Sequence, residues 1–128
     1  MSRPEFVTTA QFHHSQAVKI GNRLELAGQG GWNDNLEFAD SLRDQIAQAF
    51  RNVGRILALA GASWDDVISV NSYHVGLGGH QDEVNQAMIE QFGHYMPDHA
   101  PTWTCLGVAA LGEPEMRVEI RVSAVLPE

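Results

Sequence analysis

Residues 116–126 read MRVEIRVSAVL, and the strict alternation in that stretch decides the fold. Met116, Val118, Ile120, Val122 and Ala124 fall on one side, while Arg117, Glu119, Arg121 and Ser123 fall on the other. Successive side chains of an extended chain point to opposite faces, so this is a strand with one face in a core and one mixed face. Upstream, GEPE (112–115) is a turn, and TWTCLGVAAL (102–111) is another β-rich run. Further back, Val84, Met88 and Phe92 share one helical stripe within Gln81–Tyr95, which Pro97 ends. DDVISVNSYHV predicts a strand from about Val67 to Val75.

Between Ser41 and Ala60, Leu42, Ile46, Phe50, Val53 and Leu57 recur at three- and four-residue steps, which defines an amphipathic helix. Asp40 or Ser41 can cap its start, and Gly61 fits the left-handed position past its end. Gly54, inside the helix, suggests close packing against the sheet. At the N-terminal end QAVKI (16–20) and RLELAG (23–28) flank Gly21-Asn22, a pair suited to a tight hairpin turn. GQGGWNDN (28–35) reads as a loop. The order strand-strand-helix-strand-helix-strand-strand predicts an α+β two-layer sandwich, a single domain over residues 1–128 with both helices on one sheet face. By alternation the opposite face would carry Trp103 and Cys105 together with Glu119 and its arginines. A face mixing tryptophan with charge predicts an oligomer that buries part of it.

Hydrophobic residues at 44% and charged residues at 19% describe a globular chain rather than a disordered one. Sixteen acidic and eight basic side chains leave a net charge of −8, which repels phosphate backbones, so no nucleic-acid partner is expected. No apolar run approaches a membrane span or a signal-peptide core, and the single cysteine suits a reducing compartment. A cytoplasmic protein with no membrane partner is the expectation.

The P-loop, the dinucleotide fingerprint, CxxC and GxSxG are all absent. His13 and His14 are adjacent, His94 and His99 straddle Pro97, and His74 and His80 lie in a strand and a loop. None of these spacings is a zinc pattern, so no metal is expected. Cys105 is a possible nucleophile, but packing as a small hydrophobe is favoured. Glu119 is either part of a salt-bridged solvent face with Arg117 and Arg121 or a carboxylate that orients water and trades a proton. Trp103 is either core or a flat wall for a planar ligand.

SQAVKIGNRLELAGQGG, AGASWDDVISVNSYHV, VNQAMIEQF and WTCLGVAALGEPEMRVEIRVSAV fall in the order and spacing of the Rid family, also called YjgF, the reactive-intermediate deaminases. The resemblance runs from about His14 to Leu126. It implies a chorismate-mutase-like fold, assembled as a homotrimer with small-molecule clefts between subunits. The activity implied is cofactor-free hydrolysis of reactive enamines and imines to 2-oxo acids and ammonia. The cleft glycine of the family falls on Gly28, its cysteine on Cys105 and its water-holding glutamate on Glu119. Its tyrosine position is His14, and its carboxylate-binding arginine position is Trp103. That last exchange resembles an arginine-lacking branch bearing P-x-W-T and SYH. A bidentate arginine supplies a charge-assisted pair worth about 1.5–3 kcal/mol, so 2-imino acids lose their anchor here. Glu119 and His14 form the candidate catalytic pair, and Trp103, Thr104, Cys105, Gly28 and Arg121 the candidate substrate-binding set, with Arg121 a relocated anion contact. The leading expectation is a hydrolytic deaminase of an enamine, imine or related C–N substrate. The alternative is a non-catalytic trimer that binds a small metabolite, and endoribonuclease activity ranks last.

Overall fold

A computed structural model describes residues 3–9 and 14–127. Seven strands and two helices follow in order: β1 (Glu5–Thr9), β2 (His14–Ile20), β3 (Arg23–Leu26), β4 (Gln29–Gly30), α1 (Leu42–Leu59), β5 (Val67–Val75), α2 (Gln81–Tyr95), β6 (Thr102–Val108) and β7 (Val118–Val125). The sheet runs β1-β2-β3-β7-β5-β6, with β4 also paired to β7. All pairings are antiparallel except β5–β6, where α2 is the crossover. This is the α+β two-layer sandwich expected, with one mixed sheet. The expected order lacked β1 and β4. β4 is only two residues long, within the stretch expected to be a loop, and its glycine carries no strand signal.

Local chemistry sets these boundaries. Ile20 pairs with Arg23 across the two-residue turn, in which only Gly21 takes a positive φ, +61°. Ser41 caps α1 by accepting the Asp44 N–H, and Gly61 has φ +80° just past the helix end. The stripe Leu42, Ile46, Phe50, Val53 and Leu57 is buried against Leu24, Ile120 and Val122 of the sheet. Phe50 stacks on Trp64 at 5.1 Å and on Tyr95 at 5.9 Å, joining both helices to the turn before β5. Gly54 packs close, but against that turn rather than the sheet: a Cβ there would lie 3.1 Å from Trp64 Nε1. No helix among the described residues is long and apolar enough to cross a membrane.

One expectation about the sheet faces needs correction. Trp103 and Cys105 do not share a face with Glu119. In the parallel β5–β6 pair Trp103 sits beside Val70 and Cys105 beside Ser72, both on the buried, helix-covered side. Trp103 meets Phe92 of α2 edge to face at 5.1 Å, and its Nε1–H donates to Ser72 Oγ at 2.9 Å. The open face instead carries Thr104, Asn71 and Arg121 in one row and Tyr73 beside Glu119 in the next. Alternation assigns residues to two sets, and the partner strand decides which set is inside.

Beneath Trp103 lies a buried polar chain. Ser72 Oγ, which accepts from the indole, is 2.8 Å from Nε2 of His74. Both Ser72 and His74 have no exposed surface. Desolvation pushes the His74 pKa down to about 4, so the ring is neutral at pH 7. Nδ1 has no hydrogen-bond partner among the described residues.

Candidate functional site

The site begins with a slip in register. β3 pairs Glu25 with Ser123, whereas β4 pairs Gln29 with Ile120, so one extra residue is accommodated at Ala27–Gly28. Such a bulge bends its strand and re-aims neighbouring side chains. Here it brings Gly28 over Glu119: a Cβ on residue 28 would lie 2.7 Å from Cγ and Cδ of Glu119 and closer still to Oε1. Only glycine leaves room for the carboxylate in that position.

Around this contact is a cavity of about 540 Å³, lined by His14, Gln16, Gly28 and Glu119 on the sheet side. Trp32, Leu36 and Phe38 form the facing wall, with Met116 and the Gly112–Glu115 turn at the end. Glu119 is half-buried and makes no side-chain hydrogen bond or ion pair with the other described residues. The salt-bridged solvent face therefore does not form at this residue. Desolvation pushes its carboxyl above the usual carboxylate range. A half-buried carboxylate and an imidazole lining one cavity are the residue types of general acid–base chemistry.

Two buried amides on α1 hold the walls. Asn52 donates to the carbonyls of Gly30 and Trp32, at 2.8 and 2.7 Å. Gln45 donates to the carbonyls of Ala39 and Glu115 and accepts the Arg117 N–H. The loop between them closes on Asn33, whose Oδ1 accepts the N–H groups of Asn35 and Glu37. These residues were not picked out from the sequence. The available signal was a pair of amides seven residues apart on the apolar stripe of α1, where nothing else is polar enough to need a partner.

Of the predicted site residues, the structure brings together His14, Gly28 and Glu119. Trp103, Thr104 and Cys105 lie on β6, at the far edge of the sheet, and do not line this cavity. Arg121 is also outside it. Its Nε donates to Leu26 O at 3.2 Å, and its Nη2 lies 3.9 Å from Glu25, whose other partners are Arg23 and Ser123. His13, adjacent to His14, lies outside the described residues.

A family model described as Endoribonuclease L-PSP matches residues 5–126. RutC family protein YjgH of Escherichia coli K12 is 31% identical over 119 residues, covering 93% of this chain and 87% of that protein. A 2-iminobutanoate/2-iminopropanoate deaminase of Dermatophagoides farinae is 33% identical over 115 residues, covering 88% of this chain and 85% of that protein. Among solved structures, yeast Mmf1 superposes with a TM-score of 0.85 at 27% identity, over 98% of this chain and all of the other. RidA from an Antarctic Psychrobacter gives 0.82 at 27% identity, over 95% and 99%. A chain matched from Glu5 to Leu126, folded as these proteins are, belongs to the Endoribonuclease L-PSP family, the Rid or YjgF family.

Proposed function

We propose that the cavity around Glu119 is a hydrolytic deaminase site for an enamine or imine. The observation that carries this reading is the unpartnered, half-buried Glu119 carboxylate, held against Gly28 in a cavity that also receives His14. A water held by Glu119 attacks the C=N carbon while the carboxylate takes its proton, and His14 moves a proton at the departing nitrogen. No cofactor enters this scheme. The deaminase name of the mite relative supports the reaction class.

The same proposal assigns the second group of residues to an assembly. β6 is an edge strand, paired among the described residues only with β5, and the open sheet face beside it exposes Leu106 and Thr104. A homotrimer that packs these faces together would place Thr104, and the rims of Trp103 and Cys105, at a cleft between subunits. The single cysteine is consistent with a cytoplasmic protein. A binding-only role draws support from the apolar Trp32–Phe38 wall, which holds a planar group without chemistry. Endoribonuclease activity has the least support, because among the described residues three glutamates and no lysine or arginine line the cavity.

The test is ammonia release from a panel of enamines and imines generated in situ, 2-aminoacrylate among them, with native mass spectrometry of the same sample. Acceleration that falls at least ~10²-fold in Glu119→Gln is expected. Acceleration of no panel member, or one unchanged in Glu119→Gln, refutes the deaminase and leaves the binding module.

A further inference from the structure

The charge and shape of the cavity select among imines. Among the described residues three carboxylates line it, Glu113, Glu115 and Glu119, and no lysine or arginine does. The guanidinium one pleat beyond Glu119, Arg121, is engaged with Glu25 and Leu26 O. An α-carboxylate entering here meets like charge and no fork of donors.

The opposite wall is built for an apolar group. Trp32 and Phe38 meet edge to face with centroids 6.4 Å apart, which leaves aromatic surface toward the cavity. Leu36 stands beside them 56% exposed, the only described non-glycine residue with positive φ, at 59°. That conformation is unfavourable for a branched side chain, and Asn33 maintains it through the Leu36 N–H to Asn33 O bond and two N–H bonds to its own side chain. A strained, exposed leucine beside two aromatic rings gives this wall a continuous apolar surface.

We propose that this cavity takes imines of amines, whose carbon carries an uncharged aryl or branched alkyl group, and rejects imines of amino acids. This rests on the deaminase reading and narrows it. The protonated imine, a cation, sits among the glutamates with its substituent on Trp32, Leu36 and Phe38. Water adds to the imine carbon as the C=N pair moves to nitrogen, and Glu119 takes the proton released. Glu119 returns it to nitrogen, the C–N bond breaks with its pair on nitrogen, and His14 carries the hydroxyl proton to the departing ammonia. The sum is protonated imine plus water giving aldehyde or ketone plus ammonium. The reaction that supplies such a substrate is the oxidation of a primary amine.

Two measurements on the full-length protein separate this inference from the reading beneath it. In the first, benzylamine, benzamide and benzoate, which share a ring and differ in charge, are titrated by tryptophan fluorescence. Benzylamine should bind at least about tenfold tighter than benzoate, and Trp32→Phe should weaken the quenching. Replacing Glu113 and Glu115 with Gln should narrow the ratio on the order of fivefold. Benzoate binding as well as benzylamine, or no binding by any of the three, overturns the proposed class. In the second, the imine made from benzylamine by an amine oxidase is compared with that made from alanine by an amino-acid oxidase. Preferential hydrolysis of the benzylamine imine supports the proposal. Preference for the alanine imine overturns the substrate class and leaves the deaminase standing. The expected charge order in binding with no turnover of either imine overturns the deaminase and leaves the ligand class standing.

Discussion

Buried and neutral, His74 makes the stability of this protein depend on pH in a calculable way. In the unfolded chain its ring takes up a proton near 6.5, whereas burial in the fold lowers that value to about 4. As pH falls below 6.5 the unfolded state binds the proton first, so stability is complete above 6.5 and is lost on the way to 4. The gap corresponds to about 3 kcal/mol in total, of which about 2 kcal/mol is lost by pH 5. His74→Gln keeps an amide near the Nε2 position, where it can still meet Ser72, but cannot titrate. Urea unfolding at pH 7 and pH 5, at one protein concentration, isolates the effect. Between those pH values the wild type should lose about 1 M more in midpoint than the variant, at a slope of about 2 kcal/mol/M. Every other titrating group is common to both proteins and cancels. Equal losses in the two proteins would refute the reasoning, since His74 would then be charged or solvated in the native state. A larger loss in the variant would refute it as well.

Glu119 titrates with the opposite sense: its raised pKa means that stability is present below about 4.5, its ordinary value, and is lost as pH rises through the folded value. Glu119→Gln should therefore be more stable than wild type at pH 7 and lose that advantage below pH 4.5, as thermal melts across that range will show. Gly28→Ala should displace the Glu119 carboxylate by roughly 1 Å, because contacts of 2.7 Å must relax to an ordinary 3.5–4 Å. Turnover should fall ~10²-fold while global stability changes by less than about 2 kcal/mol, measured by imine hydrolysis and urea unfolding on one preparation. Asn52→Ala leaves the Gly30 and Trp32 carbonyls without their side-chain donor, at a cost of about 1–3 kcal/mol. Amide exchange should speed up in the loop that carries Trp32 and Leu36 before it does so in β5 or β7.

Much of the architecture was legible in order and period. The apolar stripes of both helices, the Gly21 turn, the Ser41 cap, the bounds of β5 and the inward set of β7 all follow from local stereochemistry, which acts within a few residues. The likeness to a family also put Gly28, His14 and Glu119 in one place, and they line one cavity.

Other features are set by neighbours distant in the chain. Alternation in TWTCLGV divides Trp103 and Cys105 from Thr104, yet both sets contain polar and apolar members, so period two cannot say which faces the helices. The parallel register against Val70 and Ser72 makes that choice, and it puts Trp103 over Phe92. Arg121 and Glu119 share one face of β7, but Glu25 on β3 draws the arginine away and leaves the glutamate unpaired. The extra residue at Ala27–Gly28 is visible only once β3 and β4 are both paired with β7. The sequence by itself determined which residues lie together along each element, because helix and strand periods are properties of the local backbone. Only the tertiary structure decided which carboxylate is free and what surrounds it, because charge pairing and desolvation depend on residues brought together across the sheet.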